Sequence, residues 1–557
     1  MKKFQASLSH RRKPRLQKVN SGKKSFLLNG ATLAAAALLM RTVSVSFNAY
    51  TVSRVGAEGI GLFTLTMSLY GFFLTLATSG VGLALTRLVA DAISRGDGDY
   101  ARAMMKRCAM YALVCGSAAS VALFSFAPLL SAHVLHDMRT LPSLRLLSLG
   151  LVPISLSSVF SGYFIAVRRA ARNAAVQVAE QWIKIALTVF LLGRMIPYGV
   201  TYACVALVLG GMIGECLSCV ILLIACRLDY VHHPLARRPK SERKKPGLRP
   251  LLEISVPIAG GAYARSALVT LEHMLIPVAL AMAGSDRAGA LASYGALHSM
   301  AFPIVVYPMA MLSSFASLLV PEYTQSLVRN EKKRLHHMTA ESLSATLSFA
   351  LAVGAAFLLF GEELGVCLYS SEEAGRFIRL LAPLVPLMYL DHVTDAMLKG
   401  VGMQFYAMVV NIADSILSIG LVMLLLPRFG AVGYVYVIMI AEAFNFICSY
   451  IGMRRRVGAG LTFSMLLQPL IPVGSALLLM RIFSFGKAVD GVGITLKIML
   501  FCALVFLSFF ICHAFGRHSS EQSREKESAP SEKGAKARRC GFSANVGFSI
   551  KELPRDV

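Results

Sequence analysis

SFLLNGATLAAAALLMRTVSVSFNAYTVSRVGAEGIGLFTLTMSLYGFFLTLATSGVGLALTRLVADAISRGDGDYARAMMKR (25–107) decides the fold. Its two apolar runs, 25–49 and 59–86, are each long enough to cross a bilayer core, which takes about 20 residues of helix. The gap between them holds one basic residue, Arg54, beside Gly56. The stretch that follows, 87–107, holds Arg87, Arg95, Arg102, Lys106 and Arg107. Cytoplasmic loops carry the excess of Lys and Arg, so this unit reads as a crossing out, a tight outer turn and a crossing back.

The alternation continues to the end of the chain. Further apolar segments lie at 108–130, 143–166, 174–193, 199–226, 251–283, 289–321, 340–361, 376–398, 404–427, 430–453, 462–483 and 491–515, giving fourteen expected crossings. Basic clusters occupy 1–24, 87–107, 167–173, 227–249, 329–334, Lys399, Arg454 to Arg456 and 517–557. The alternate gaps hold only scattered basic residues such as Arg139, Arg194, Arg287, Arg428 and Lys487. Both termini are therefore expected in the cytoplasm, and the protein in the cytoplasmic membrane. The segments 251–283 and 289–321 are long enough to tilt, kink or overshoot the bilayer.

Composition points the same way, with 56% hydrophobic and 15% charged residues. The net charge of +26 is accounted for by topology and by contact with anionic lipid headgroups, so no nucleic-acid partner is expected. The first segment is too long for a signal-peptide core and is expected to be retained. The eleven cysteines lie mostly in apolar segments and read as small packing residues. Cys216 and Cys219 form a CxxC with no second pair nearby, so no metal site is expected. The tail 516–557 is polar and without apolar period, and is expected to be disordered.

The organisation follows from the most polar internal stretch. A basic tail (1–24) precedes an N-lobe of six helices (25–226), a cytoplasmic linker (227–250), a C-lobe of six helices (251–453), helices thirteen and fourteen (454–515) and the tail. The halves echo each other weakly: Gly30-Ala31 against Gly261-Ala262, and Gly56 and Gly284 each in the first outer turn of its half. Six crossings per half make this a parallel repeat, with two lobes facing a central cavity. The expected fold is an all-α integral membrane bundle of two pseudo-symmetric lobes plus two C-terminal helices.

Charges inside the membrane are costly and call for a partner or a wet cavity. Arg41 and Arg265 lie near the middle of segments one and seven without an acidic residue four positions away. Such a guanidinium can grip a phosphate with two parallel hydrogen bonds; the alternative is an inter-helix ion pair, for instance Arg41 with Glu272. Glu180 and Lys184 are four apart and are expected to neutralise each other. Asp391, Asp395 and Lys399 repeat every four residues, either lining a vestibule or ending a helix near the headgroups. Glu272, Asp414 and Glu442 make the second half acidic, as an H+ or Na+ coupling site would require. Prolines 257, 277, 303, 308, 383 and 386 permit kinks.

The run 41–97, with its helix-one arginine, the VGAEGIGLF turn and the SGVGLALTRLVA end of helix two, resembles the stage V sporulation protein B and polysaccharide-exporter branch of the multidrug/oligosaccharidyl-lipid/polysaccharide flippase superfamily. EISVPIA (253–259) and LKGVGMQFYAMVVNI (398–412) are similar to the same branch. The resemblance implies a fourteen-helix transporter of lipid-linked sugars. In the related lipid II flippases, arginines of the first and seventh helices contact the anionic substrate. The matching positions are Arg41 and Arg265, with Arg54 and Arg87 as further arginines. The acidic second half departs from a purely cationic cavity.

The expected function is therefore a flippase for a lipid-linked oligosaccharide or peptidoglycan precursor, working by alternating access in envelope or spore-cortex synthesis. It is expected to be a monomer and not an enzyme, without cofactor. No Walker motif is present, which leaves an ion gradient or the membrane potential as the drive. The rival readings are an ion-coupled organic-cation antiporter of the same superfamily, a membrane glycosyltransferase and a non-transporting scaffold. Short outer gaps argue against the glycosyltransferase, and buried charges against the scaffold.

Overall fold

The computed structural model describes residues 23–78, 80–167, 169–232, 247, 249–458, 460, 465, 467–482 and 491–528. Within them, side chains are described from Leu38 to Phe510, excepting 170–171 and 231–232. Residues 1–22, most of the linker 227–250, the start of segment thirteen, Lys487 and 529–557 lie outside the described residues.

Every regular element among the described residues is helical. In chain order these are α1 (Lys23–Thr78), α2 (Val81–Ser94), α3 (Gly98–Leu129), α4 (Leu141–Ala166), α5 (Ala170–Met195), α6 (Val200–His232), α7 (Arg249–Met282), α8 (Arg287–Gly295), α9 (Phe302–Val305), α10 (Met309–Val328), α11 (Lys332–Tyr369), α12 (Glu372–Leu381), α13 (Val385–Gly400), α14 (Gln404–Val457), α15 (Leu470–Ile482) and α16 (Gly491–Ser528).

Ten described helical stretches are long and apolar enough to cross a membrane, eleven when the bent pair α8–α9 and α10 counts as one. The fourteen expected segments do not appear as fourteen separate helices. α1 holds 56 residues, about 84 Å at about 1.5 Å per residue and more than twice the hydrocarbon thickness. It breaks into two arms at Gly56, whose φ of +81° no side-chain-bearing residue adopts readily. α14 holds 54 residues and breaks at Gly430. Each broken helix covers two expected segments. Gly284, the expected counterpart of Gly56, also has positive φ (+94°). α15 has 13 residues, too few to span alone.

The stretches expected on the cytoplasmic side are more helical than their composition suggests. Of the basic loop 87–107 only Arg95 to Asp97 are non-helical, because α3 starts at Gly98, capped by the Asp97 carboxylate on the Tyr100 N–H. The tail expected to be disordered from 516 is helical to Ser528. A span already formed supplies the helix nucleus, so adding turns is inexpensive. The second long segment does kink. α8–α9 and α10 meet at 57°, with a π turn at Ala296–Ala301 and Pro308 at the bend. The Val305 carbonyl there accepts from Tyr389 Oη at 2.9 Å.

Packing is densest among α3, α4, α5 and α6 on one side, and among α7, α10, α13, α14 and among α11, α12 on the other. The second arm of α1 joins the two groups. Gly61 lies against the Leu291 carbonyl of α8, and Gly295 against the Ala57 carbonyl, so backbones touch where side chains would not fit. The largest apolar core runs from Leu62, Leu65 and Leu69 through Leu291 and Leu297 to Val393 and Met397. A second lies under α2, around Leu85, Met104 and Phe164. α15 and α16 dock on α11 through Phe360, Met480 and Phe501, beside a Lys497–Glu363 ion pair at 3.0 Å. Large apolar side chains such as Val121, Phe124, Phe405 and Phe506 stay exposed on the outside of the bundle. Lipid is the solvent that suits such a surface.

Candidate functional site

The first arm of α1 carries Arg41 against the C-terminal helices. One position on, Thr42 Oγ1 meets Tyr307 Oη at 2.8 Å. Two turns on, the Asn48 amide donates to the Ser299 carbonyl and to Tyr369 Oη at 3.2 Å. Thr64 of the second arm meets the Ser299 hydroxyl. Ser299 sits in the π turn, where an offset backbone register leaves a carbonyl for a neighbouring helix to use. Arg41 is half-buried within electrostatic reach of Tyr369. Among the described residues no carboxylate is within ion-pair distance of Arg41, so the Arg41–Glu272 pair is not formed.

Arg265 stands elsewhere. It lies on α7 within the fields of Asp391, Asp414 and Glu442, on α13 and α14. None of the three closes on it as an ion pair. The Asp391 and Asp414 Oδ1 atoms are buried without a hydrogen-bond partner, as is Oδ1 of Asn445, which is 7% exposed. Glu442, Asn445 and Ser449 fall on one face of α14, at spacings of three and four. Glu272 accepts from Tyr434 Oη at 3.4 Å. Beside it, His273 Nδ1 meets Tyr294 Oη at 2.9 Å, and the His298 ring lies 4.6 Å from that of His273 and 5.2 Å from that of Tyr434. Among the described residues, no three His, Cys, Asp or Glu side chains converge as metal ligands do.

Asp395 is set apart by Lys399, which binds it at 2.6 Å near the exposed end of α13. Arg54 is exposed and stacks over Tyr50 at 5.7 Å, next to the Gly56 turn. It lies about 20 Å from Arg41 along the helix axis, by the helical rise. Arg87 is exposed on α2, beyond the other end of the second arm. The four arginines therefore do not form one cluster. Lys184 and Glu180 do not pair as their spacing suggested. Glu180 instead lies close to Glu215 of α6, each within the other's field, with Lys184 also in the field of Glu215.

The ends nearest the Gly56 turn are tied across the two groups. Arg139 binds Glu58 at 2.9 Å and Asp137 at 2.8 Å. Arg287, at the head of α8, donates to the Leu135 carbonyl at 2.9 Å and stands 4.0 Å from Asp137. At the opposite end, buried Asp229 receives Arg169, Arg172 and Tyr163 Oη, tying α4, α5 and α6 together.

A family model described as polysaccharide biosynthesis protein matches residues 26–326, more than half of the 557 residues. The chain belongs to this polysaccharide biosynthesis family. The MatE family model matches 264–424. Both arginines fall within the first match. Arg265, Glu272, Asp391, Asp395 and Asp414 fall within the second, while Glu442 lies beyond it. Stage V sporulation protein B of Bacillus subtilis (strain 168) is 26% identical over 410 residues, covering 73% of this chain and 79% of its own. Lipid II flippase MurJ of the same organism is 23% identical over 438 residues, covering 72% and 78%. A solved structure of lipid II flippase MurJ in an inward closed conformation superposes with a TM-score of 0.68 at 11% identity, covering 88% of this chain and 99% of that one. This polysaccharide biosynthesis family member therefore shares the fold of a multi-pass membrane transporter. Asn48, Asn445 and the His273–His298 pair stood out in no local pattern. Asn411, Asp414 and Ser418 on α14 did carry a signal, a polar stripe at helical spacing in an apolar helix.

Proposed function

We propose that this protein is a flippase that moves a lipid-linked saccharide across the cytoplasmic membrane, with both termini cytoplasmic and without covalent chemistry. The observation that carries the reading is Arg41: a guanidinium expected at mid-depth, half-buried, with no carboxylate among the described residues to neutralise it. A charge in that position calls for a counter-ion, and a diphosphate supplies one with the two-pronged geometry that arginine favours. The head enters from the cytoplasmic side, its lipid tail stays in the bilayer, and rocking of the two helix groups exposes it outside. One of the two relatives is named as a lipid II flippase and the other as a sporulation protein, which supports a lipid-linked substrate.

The acidic set around Arg265 supports a second function for the same cycle. Asp391, Asp414, Glu442 and Glu272 would bind the coupling H+ or Na+, and cation uptake would relax their hold on Arg265. The MatE match over part of this region keeps an organic-cation antiporter as the competing reading.

The test is translocation of a fluorescent polyprenyl diphosphate sugar in proteoliposomes, with Arg41→Ala and Arg265→Ala in parallel. Transport by the wild type and its loss in Arg41→Ala, with the variant folded, supports the flippase. Absence of lipid transport together with proton- or sodium-linked efflux of organic cations would transfer the function to the antiporter.

A further inference from the structure

Beside Met40 and Ser44 of α1, which flank Arg41 in the chain, α4, α5 and α6 line an open cavity of about 450 Å³, a volume typical of small-molecule sites (about 300–1,000 Å³). Its wall is polar for a chain this apolar: Ser157 and Ser161 from α4, Asn173, Gln177 and Glu180 from α5, and Glu215 from α6. The α5 residues follow at spacings of four and three, so one face of the helix is polar over two turns. Turned to lipid, that face would be costly; here it lines a cavity. Asn173 is 8% exposed, and its Oδ1 is buried without a hydrogen-bond partner. A buried acceptor left unpaired costs about 1–3 kcal/mol, which a bound donor would recover.

The chemistry of the wall selects the ligand. Serine, asparagine and glutamine both donate and accept, and carboxyl groups accept from neighbouring hydroxyls. The Glu180–Glu215 contact repels phosphate and any carboxylate-ended peptide. The cation at the edge, Lys184, lies in the field of Glu215 and lines an adjoining small cavity with it. A neutral, hydroxyl- or acetamido-bearing ring is what remains. Ser44, also on the wall, is three residues from Arg41 and on its face of α1.

We propose that this cavity is the saccharide subsite of the lipid-linked substrate. Asn173 and Glu180 take its hydroxyl or acetamido groups while the diphosphate stays at Arg41. This rests on the flippase reading above. The test titrates the detergent-solubilised full chain with two probes, farnesyl diphosphate and farnesyl diphospho-N-acetylglucosamine. The wild type is expected to bind the sugar-bearing probe about tenfold more tightly, the effect of one or two good hydrogen bonds. Asn173→Ala, Glu180→Gln and Gln177→Ala each shrink that ratio towards one; Asn173→Ala and Gln177→Ala leave farnesyl diphosphate affinity unchanged, which certifies their fold, while Glu180→Gln, which removes a charge that repels phosphate, leaves it unchanged or raises it. Arg41→Ala weakens both probes alike and keeps the ratio. A wild-type ratio of one, or a ratio untouched by all three cavity variants, overturns the subsite while the flippase reading stands. Failure of both probes to bind the wild type overturns both.

Discussion

Arg41 and Arg265 look equivalent in the sequence, each an isolated arginine deep in the first helix of its half, yet the fold gives them opposite surroundings. Arg41 lies within the field of the Tyr369 hydroxyl, with no carboxylate of the described residues at ion-pair distance; Arg265 lies within the fields of three carboxylates. Their substitutions should therefore differ. Arg41→Lys retains a charge but loses the fork, and should slow lipid-diphosphate translocation about tenfold, the value of one charge-assisted bond; Arg41→Ala should abolish it. Arg265→Lys should be milder, since a point charge serves a carboxylate cluster. Initial rates in proteoliposomes decide the order. The acidic residues divide likewise. Asp395 is held by Lys399 at 2.6 Å, whereas Asp391 has a buried unpartnered oxygen. Asp391→Asn should remove ion dependence of transport and Asp395→Asn should keep it, read from rates across an imposed H+ or Na+ gradient. Equal loss in both would place the coupling elsewhere. The arginines and acids were legible because charge in an apolar run is conspicuous. Asn48, Asn445 and the edge-to-face pair His273 and His298 were not, because their meaning comes from partners on other helices.

Elements were legible where one local force dominates. Gly56 and Gly284 marked the outer turns because a reversal between two apolar runs needs positive φ. Helix extensions beyond the apolar segments escaped notice because charged residues at 87–107 and 516–528 read as loop, although Arg, Lys and Glu are good helix formers. Close backbone approach was equally silent. Gly61 and Gly295 lie where a β-carbon would strike a carbonyl of the facing helix, whereas a β-carbon on Gly71 meets nothing within 4 Å. Gly61→Val and Gly295→Val should each cost about 1–3 kcal/mol through overpacking, while Gly71→Ala should be neutral or stabilise by up to about 1 kcal/mol. Thermal unfolding in detergent ranks them; a stable Gly61→Val would mean that the α1–α8 contact is looser than described.

At the scale of the molecule, transport requires the two helix groups to part, and polar ties join them beside the Gly56 turn in addition to the packing of α1 on α8. Arg287 crosses from α8 to the Leu135 carbonyl and Asp137, and Arg139 ties Asp137 to Glu58 beside the α1 turn. Burial alone would raise the Asp137 carboxyl, but hydrogen bonds and charge from Arg139, with Arg287 beyond, outweigh it and hold the group below its usual range. A depressed carboxylate stabilises above its unfolded value, near 3.9, and that contribution fades as pH falls through the folded value. Wild-type protein should thus lose melting temperature through this group as pH falls below about 4, a loss that Asp137→Asn should not show. Opening itself has a native reporter. Cys204 is 3% exposed, with its thiol 3.4 Å from the Gly59 carbonyl beneath these ion pairs. In right-side-out vesicles at neutral pH, an impermeant maleimide should label Cys204 slowly in the wild type. It should label several-fold faster in Arg287→Ala, because that substitution removes the tie between the groups and leaves the Arg139 network inside one of them. Mass spectrometry of the Cys204 peptide measures it. Unchanged labelling would show that apolar packing of α1 on α8, rather than the arginine tie, keeps the outer side shut.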